Sequence, residues 1–169
     1  MSSNERDRLG TLPRSHKTAA NYQFIDTAVA WFEAVLDMRT YQQHALNQPA
    51  PETAPAPQEV HQQLQNRVQQ IETVLGQIRQ TARESGTPVA FDVLSERYGL
   101  GAVEEQVLLM ALGTKVDVSL RRRIARYKDN ILLDYCDVDL CLSLLFDGRV
   151  ARLEGLELFR GDSTLVRTR

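Results

Sequence analysis

The chain has 169 residues, 43% hydrophobic and 25% charged, with 20 basic against 22 acidic side chains and a net charge of −2. That length suits one domain, or one domain plus an appendage, with a core large enough to need no disulfide or metal staple. The near-neutral balance excludes a global attraction to nucleic acid or an anionic membrane, so such a partner would need a local patch.

In chain order, residues 1–20 are polar, carry Gly10 and Pro13, show no apolar period and read as a flexible leader. They hold no secretory-type apolar segment, and no run anywhere approaches the ~18 residues of a membrane span. A cytoplasmic chain with no membrane partner is expected. From Asn21 to about His44, Ile25, Ala28, Val29, Phe32, Val35 and Leu36 recur at helical spacing, and Phe24, Trp31 and Met38 widen the apolar face. Residues 47–57 hold four of the six prolines and read as a polyproline-like spacer.

A second helix is predicted over 58–84. Its Val60, Leu64, Val68, Ile71, Leu75, Ile78 and Ala82 form a seam on a glutamine-rich surface, and Leu64, Val68, Ile71, Leu75 and Ile78 are candidate partner-binding residues. An intermolecular coiled coil needs about three or four heptads and about two and a half are present. An antiparallel hairpin with the first helix, folded back across the spacer, is therefore favoured over the coiled coil. Ser85-Gly86-Thr87-Pro88 stops the helix.

The remainder reads as a compact helical series with a small C-terminal β element. Phe91, Leu94 and Tyr98 line a short helix ended by Gly99, and Gly101 opens another with Glu104 and Glu105 in its first turn. Val107, Leu108, Met110, Ala111 and Leu112 are its expected buried face, and Leu112-Gly113-Thr114-Lys115 reads as its stop. Ser119 is the expected cap of Leu120–Tyr127. A further helix carries Val138 to Phe146. Val150, Leu153, Leu156 and Phe159 suggest a last helix, or a hairpin, and 163–167 alternate like a strand.

Chemistry-bearing motifs are sparse. His16, His44 and His61 have no second ligand at i+3 or i+4, and no phosphate-binding loop, nucleophile elbow or dinucleotide fingerprint is present. No catalytic, cofactor-binding or metal residue is assigned. Cys136 and Cys141 fit no CxxC pair or disulfide framework and read as small buried hydrophobes. Arg121, Arg122, Arg123, Arg126 and Lys128 form a candidate basic patch, as a recognition helix would. The next nineteen residues carry Asp129, Asp134, Asp137, Asp139 and Asp147, so intradomain pairing would cancel much of its field.

Several segments of 89–169 together resemble the winged-helix domain that precedes the ATPase core in AAA+ proteins of bacterial contractile injection systems. They are Leu94-Ser-Glu-Arg-Tyr-Gly-Leu100, Glu104-Glu-Gln-Val-Leu-Leu-Met-Ala-Leu112, Arg126-Tyr-Lys-Asp-Asn130, Val138-Asp-Leu-Cys-Leu-Ser-Leu-Leu145 and Ser163-Thr-Leu-Val-Arg167. The helix around Trp31 is similar, less specifically, to the amphipathic N-terminal helix of these proteins. The chain departs from the pattern in its proline spacer and at Asp137, where the family often has a small polar residue.

The resemblance implies a non-catalytic docking or substrate-recognition module. Its protein partner would be an injection-particle component or cargo, and ATP and magnesium would bind only in a downstream ATPase ring. The alternatives are a winged-helix DNA-binding regulator and a coiled-coil adaptor. The expected organisation is a leader (1–20), a helical hairpin (21–84) and a winged-helix-like domain (89–169).

Overall fold

The computed structural model describes residues 16–47 and 57–166. Among them are seven α-helices and one 3-10 helix: α1 (His16–Asn47), α2 (Pro57–Glu84), α3 (Ala90–Tyr98), α4 (Ala102–Val116), α5 (Val118–Tyr127), α6 (Val138–Leu145), α7 (Gly148–Gly155) and the 3-10 turn Leu156–Phe159. None of these helices is long and apolar enough to cross a membrane. Helix α1 begins at His16, so residues 16–20 are helix rather than leader; the rest of the expected leader lies outside the described residues. So does the body of the proline spacer, whose Asn47 ends α1 and whose Pro57 opens α2. Proline suits a first helical position because the amide it lacks would have no intrahelical partner.

Helix α1 is the axis of the fold. Phe24, Ala28, Trp31, Phe32, Ala34, Val35 and Leu36 are all buried, on more of the helix than one stripe can cover. A helix apolar on several sides must be enclosed, and α1 packs on α2 along one side and on α4, α5 and α6 along others. Trp31 Nε1 donates to Glu72 Oε1 on α2 at 3.1 Å, giving the buried indole its polar partner. Met110, Leu120, Ile124, Leu140 and Leu144 complete a core continuous with Leu75, Ile78 and Ala82.

Local signals explain most boundaries. Gly86 and Gly99 take φ of 68° and 64°, the left-handed conformation in which a glycine closes a helix. Beyond them, Thr87 N–H reaches Ala82 O at 2.9 Å and Leu100 N–H reaches Ser95 O at 3.0 Å. Gly101 N–H donates to Glu104 Oε2 at 2.6 Å, so the acid of the first turn closes its own helix start.

Four sequence expectations are corrected. Asp117, not Ser119, caps α5, its carboxylate accepting from Ser119 N–H at 2.5 Å. Gly113 does not stop α4 but lies inside it, where a Cβ would meet Leu120 and Phe32 at 3.2 Å; the glycine lets α1 and α5 approach. On α3 the polar Asp92 and Ser95 are buried, while Leu94 and Tyr98 are exposed. On α4, Leu109 is buried and Ala111 faces out.

The small C-terminal β element is also not seen. Among the described residues there is no strand, and Ser163–Leu165 form turns closed by Ser163 N–H to Arg160 O and Val166 N–H to Ser163 O. An alternating segment becomes a strand only where a second edge accepts its amides, and here the Ser163 and Val166 amides are taken up locally. The last apolar residues form α7 and the 3-10 turn, not a hairpin.

Candidate functional site

The basic cluster on α5 is only partly open. Arg121 Nη2 lies 2.6 Å from Asp134 Oδ2, and Lys128 Nζ lies 2.6 Å from Asp137 Oδ2 and over the Tyr135 ring. Arg123 turns to α1, 2.7 Å from Asp37 and 3.5 Å from Glu33. Arg122 and Arg126 make no ion pair with a described residue and are exposed one turn apart on α5. Asp37 also receives Arg67 of α2 at 3.4 Å, so one carboxylate ties α5 and α2 to α1. Asp147, expected among the partners of this cluster, pairs instead with Arg39 of α1.

The five candidate partner-binding residues of α2 point into the chain. Leu75 and Ile78 are buried in the core, Val68 and Ile71 pack half-buried against it, and Leu64 is half-buried. Helix α1 occupies the seam that a second chain would have used.

Open apolar surface is instead found late in the chain. Ile131 and Leu132, between α5 and α6, are 85% and 80% exposed. On α7, Val150, Leu153 and the adjoining Leu156 are exposed, and a groove of about 350 Å³ runs between Leu142, Leu153, Leu156, Gly148, Arg149 and Arg152. Gly155 lets α7 lie close on α6 beside the groove: a Cβ there would stand 2.7 Å from the Phe146 ring and 2.9 Å from Leu142. The charged side chains of this groove are Arg149 and Arg152, neither ion-paired with a described residue; Arg152 Nε donates weakly to Phe146 O at 3.5 Å. In the sequence this stripe shows only helical spacing.

A second polar centre was missed because its members are scattered over three helices. Arg79 of α2 donates to Asp92 Oδ1 of α3 at 2.5 Å and to both carboxylate oxygens of Glu105 of α4, at 2.8 and 3.0 Å. Ser95 also donates to Glu105. Asp92 Oδ2 is buried without a hydrogen bond, although Arg83 Nε stands 3.1 Å away, close enough for charge attraction but misaligned for donation. The bond to Glu105 raises Arg79 above its ordinary pKa against the opposing effect of burial. Burial pulls Glu105 upward, but the bonds from Arg79 and Ser95 outweigh it and leave its carboxyl below the usual value. The arrangement is a structural clamp, with every charge facing a partner.

Among the described residues no group of three or more metal-ligating side chains is gathered. Ser143 Oγ donates to Leu140 O at 2.9 Å and stands 3.4 Å from Tyr127 Oη, with neither carboxylate nor imidazole as a base. A family model described as "Winged helix domain, variant" matches residues 18–169, so it spans α1 and α2 as well as the later helices. Searches of curated proteins and of solved structures find no match.

Proposed function

The chain belongs to the winged helix domain, variant, family, and we propose that it works as a docking or substrate-recognition module placed before the ring of an AAA+ ATPase. On this reading the ATPase serves a contractile injection system in assembly or cargo loading. The chain holds a protein partner in position while ATP and magnesium act in the ring, and it needs no cofactor of its own. Such a module belongs in the bacterial cytoplasm, off the membrane.

The groove on α7 carries this reading. An apolar stripe flanked by two unpaired arginines suits a protein segment of apolar and acidic side chains, for which the stripe supplies desolvation and the arginines supply register. The second reading, a DNA-binding regulator, draws on Arg122 and Arg126 alone, because the other three cations of the cluster are engaged within the chain. Two phosphate contacts fall short of the ~6–10 typical of a strongly salt-dependent duplex binder. Against the coiled-coil adaptor, the apolar side of the described α2 packs on α1.

A photo-crosslinker placed at Leu153 in the full-length protein, in cells, tests the docking surface. Crosslinks to injection-particle or cargo proteins, lost on charge reversal of Arg149 and Arg152, are expected. Crosslinks only to nucleic acid, or none in cells assembling such particles, would overturn it. The coding sequence supplies the second test: a Walker A loop is expected downstream in the same reading frame, and a frame without one would remove the ATPase from the proposal.

A further inference from the structure

The two cysteines of the chain stand on either side of one helix start. Asp137 is the N-cap of α6, its Oδ1 accepting from Leu140 N–H at 2.9 Å, which places Cys136 one residue before the cap and Cys141 at the fourth helical position. These are the positions at which two apolar side chains ordinarily close over a helix N-terminus as a staple. Here both are thiols, with Sγ atoms 3.4 Å apart. The approach is fixed from one side by Lys128, whose ammonium bonds Asp137 Oδ2 at 2.6 Å and Tyr135 O at 3.3 Å. Cys141 is 2% exposed, whereas Cys136 is half-buried.

We propose that Cys136 and Cys141 are a paired-thiol modification site that closes to an intrachain disulfide when it meets an oxidant of the peroxide class. One sulfur, as thiolate, displaces hydroxide from the peroxide bond and becomes a sulfenic acid. The second attacks that sulfur and expels the remaining oxygen. The two thiol protons leave with the two oxygens, so two thiols and one hydrogen peroxide give one disulfide and two waters. Both sulfurs are oxidised and both peroxide oxygens are reduced. Closure needs the sulfurs to move from 3.4 Å to about 2.05 Å, a small change for two adjoining side chains.

The surroundings suit the step. The hydrogen bond between the sulfurs raises the Cys136 thiol, with burial adding to it, and lowers the Cys141 thiol, to which the helix start and Lys128 also offer positive charge. The thiolate of the pair is therefore favoured at Cys141, and Cys136 supplies the second thiol that closes the ring.

The test uses the full chain in dithiothreitol redox buffers, with acid quench, alkylation and mass spectrometry. The folded chain should form the Cys136–Cys141 disulfide with an equilibrium constant at least ~10-fold above that of the urea-unfolded chain, because the fold holds the sulfurs together. Hydrogen peroxide should convert the folded chain to the same product, with loss of two hydrogens and no dimer. Phenylarsine oxide, a probe that needs two adjacent thiols, should bind the wild type and neither Cys136→Ser nor Cys141→Ser. A closure constant equal to or below that of the unfolded chain, or oxidation that stops at sulfenic acid or yields only intermolecular dimers, would overturn the proposal and leave an ordinary staple.

Discussion

Asp92 at the start of α3 has no solvent exposure, and its Oδ1 accepts a hydrogen bond from Arg79 Nε of α2 at 2.5 Å. Breaking a buried pair by removing one partner costs about 3–5 kcal/mol, because the other charge stays uncompensated. Arg79 keeps Glu105 and is partly exposed, so Asp92→Ala should lose about 3 kcal/mol, at the lower end of that range. Urea unfolding measures it. A loss under about 1 kcal/mol would mean that Arg79 and Arg83 rehydrate freely.

This clamp and the α6 cap together set an acid limb. Glu105 and Asp137 both titrate below their ordinary values; burial opposes this in each, and bonds from Arg79 and Lys128 prevail. A carboxylate depressed in the folded state adds stability above its unfolded pKa, about 3.9 for Asp and 4.3 for Glu, and loses it as pH falls through the folded value. Stability should therefore be flat near neutrality and fall below about pH 4.3. Glu105→Gln should lower the plateau and shrink the acid-dependent part. An unchanged pH profile in Glu105→Gln would remove Glu105 from this account.

Two glycines should respond to alanine with opposite signs. Gly76 on α2 is exposed with open space around it, so Gly76→Ala should gain about 0.5–1 kcal/mol from helix propensity. At Gly155 the new methyl meets the Phe146 ring and Leu142, and overpacking should cost about 1–3 kcal/mol. Thermal midpoints read both. Adding Phe146→Leu to Gly155→Ala should recover part of the loss.

For the α1–α2 seam, Ile78→Ala should cost about 2–5 kcal/mol, whereas half-buried Ile71→Ala should cost about 1–2 kcal/mol. Both midpoints should be independent of protein concentration, since the seam closes within one chain. Midpoints that climb with concentration would instead mean that a second copy contributes to the seam.

Duplex DNA should bind at ~10⁻⁴ M or weaker at physiological salt and without sequence preference. Replacing Arg122 and Arg126 by Gln should reduce the salt slope by no more than about 2. Replacing Arg121 by Gln should barely alter stability, because its exposed pair with Asp134 is worth ~0–1 kcal/mol. Fluorescence anisotropy with random and selected duplexes provides the check, and a nanomolar sequence-specific complex would make the regulator the better reading.

Periodicity and punctuation sufficed to place the helices. The repeat from Phe24 to Leu36, the seam from Leu64 to Ala82 and the stops at Gly86 and Gly99 act within a few residues, and their physics is visible in a one-dimensional string. Which face each short helix buries was decided elsewhere. Asp92 and Ser95 turn inward on α3 because Arg79 and Glu105 wait on two other helices, and no local pattern records partners 13 and 10 residues away. Gly113 looked like a terminator because local sequence cannot show that Phe32, on a distant helix, needs the space a side chain would fill. The exposure of Val150 and Leu153 is the complementary case: hydrophobicity states that a residue gains from burial, and only the surrounding tertiary structure decides whether burial is available. The segment 163–166 has an alternating pattern, but a strand is a relation between two segments, and turn bonds take its Ser163 and Val166 amides.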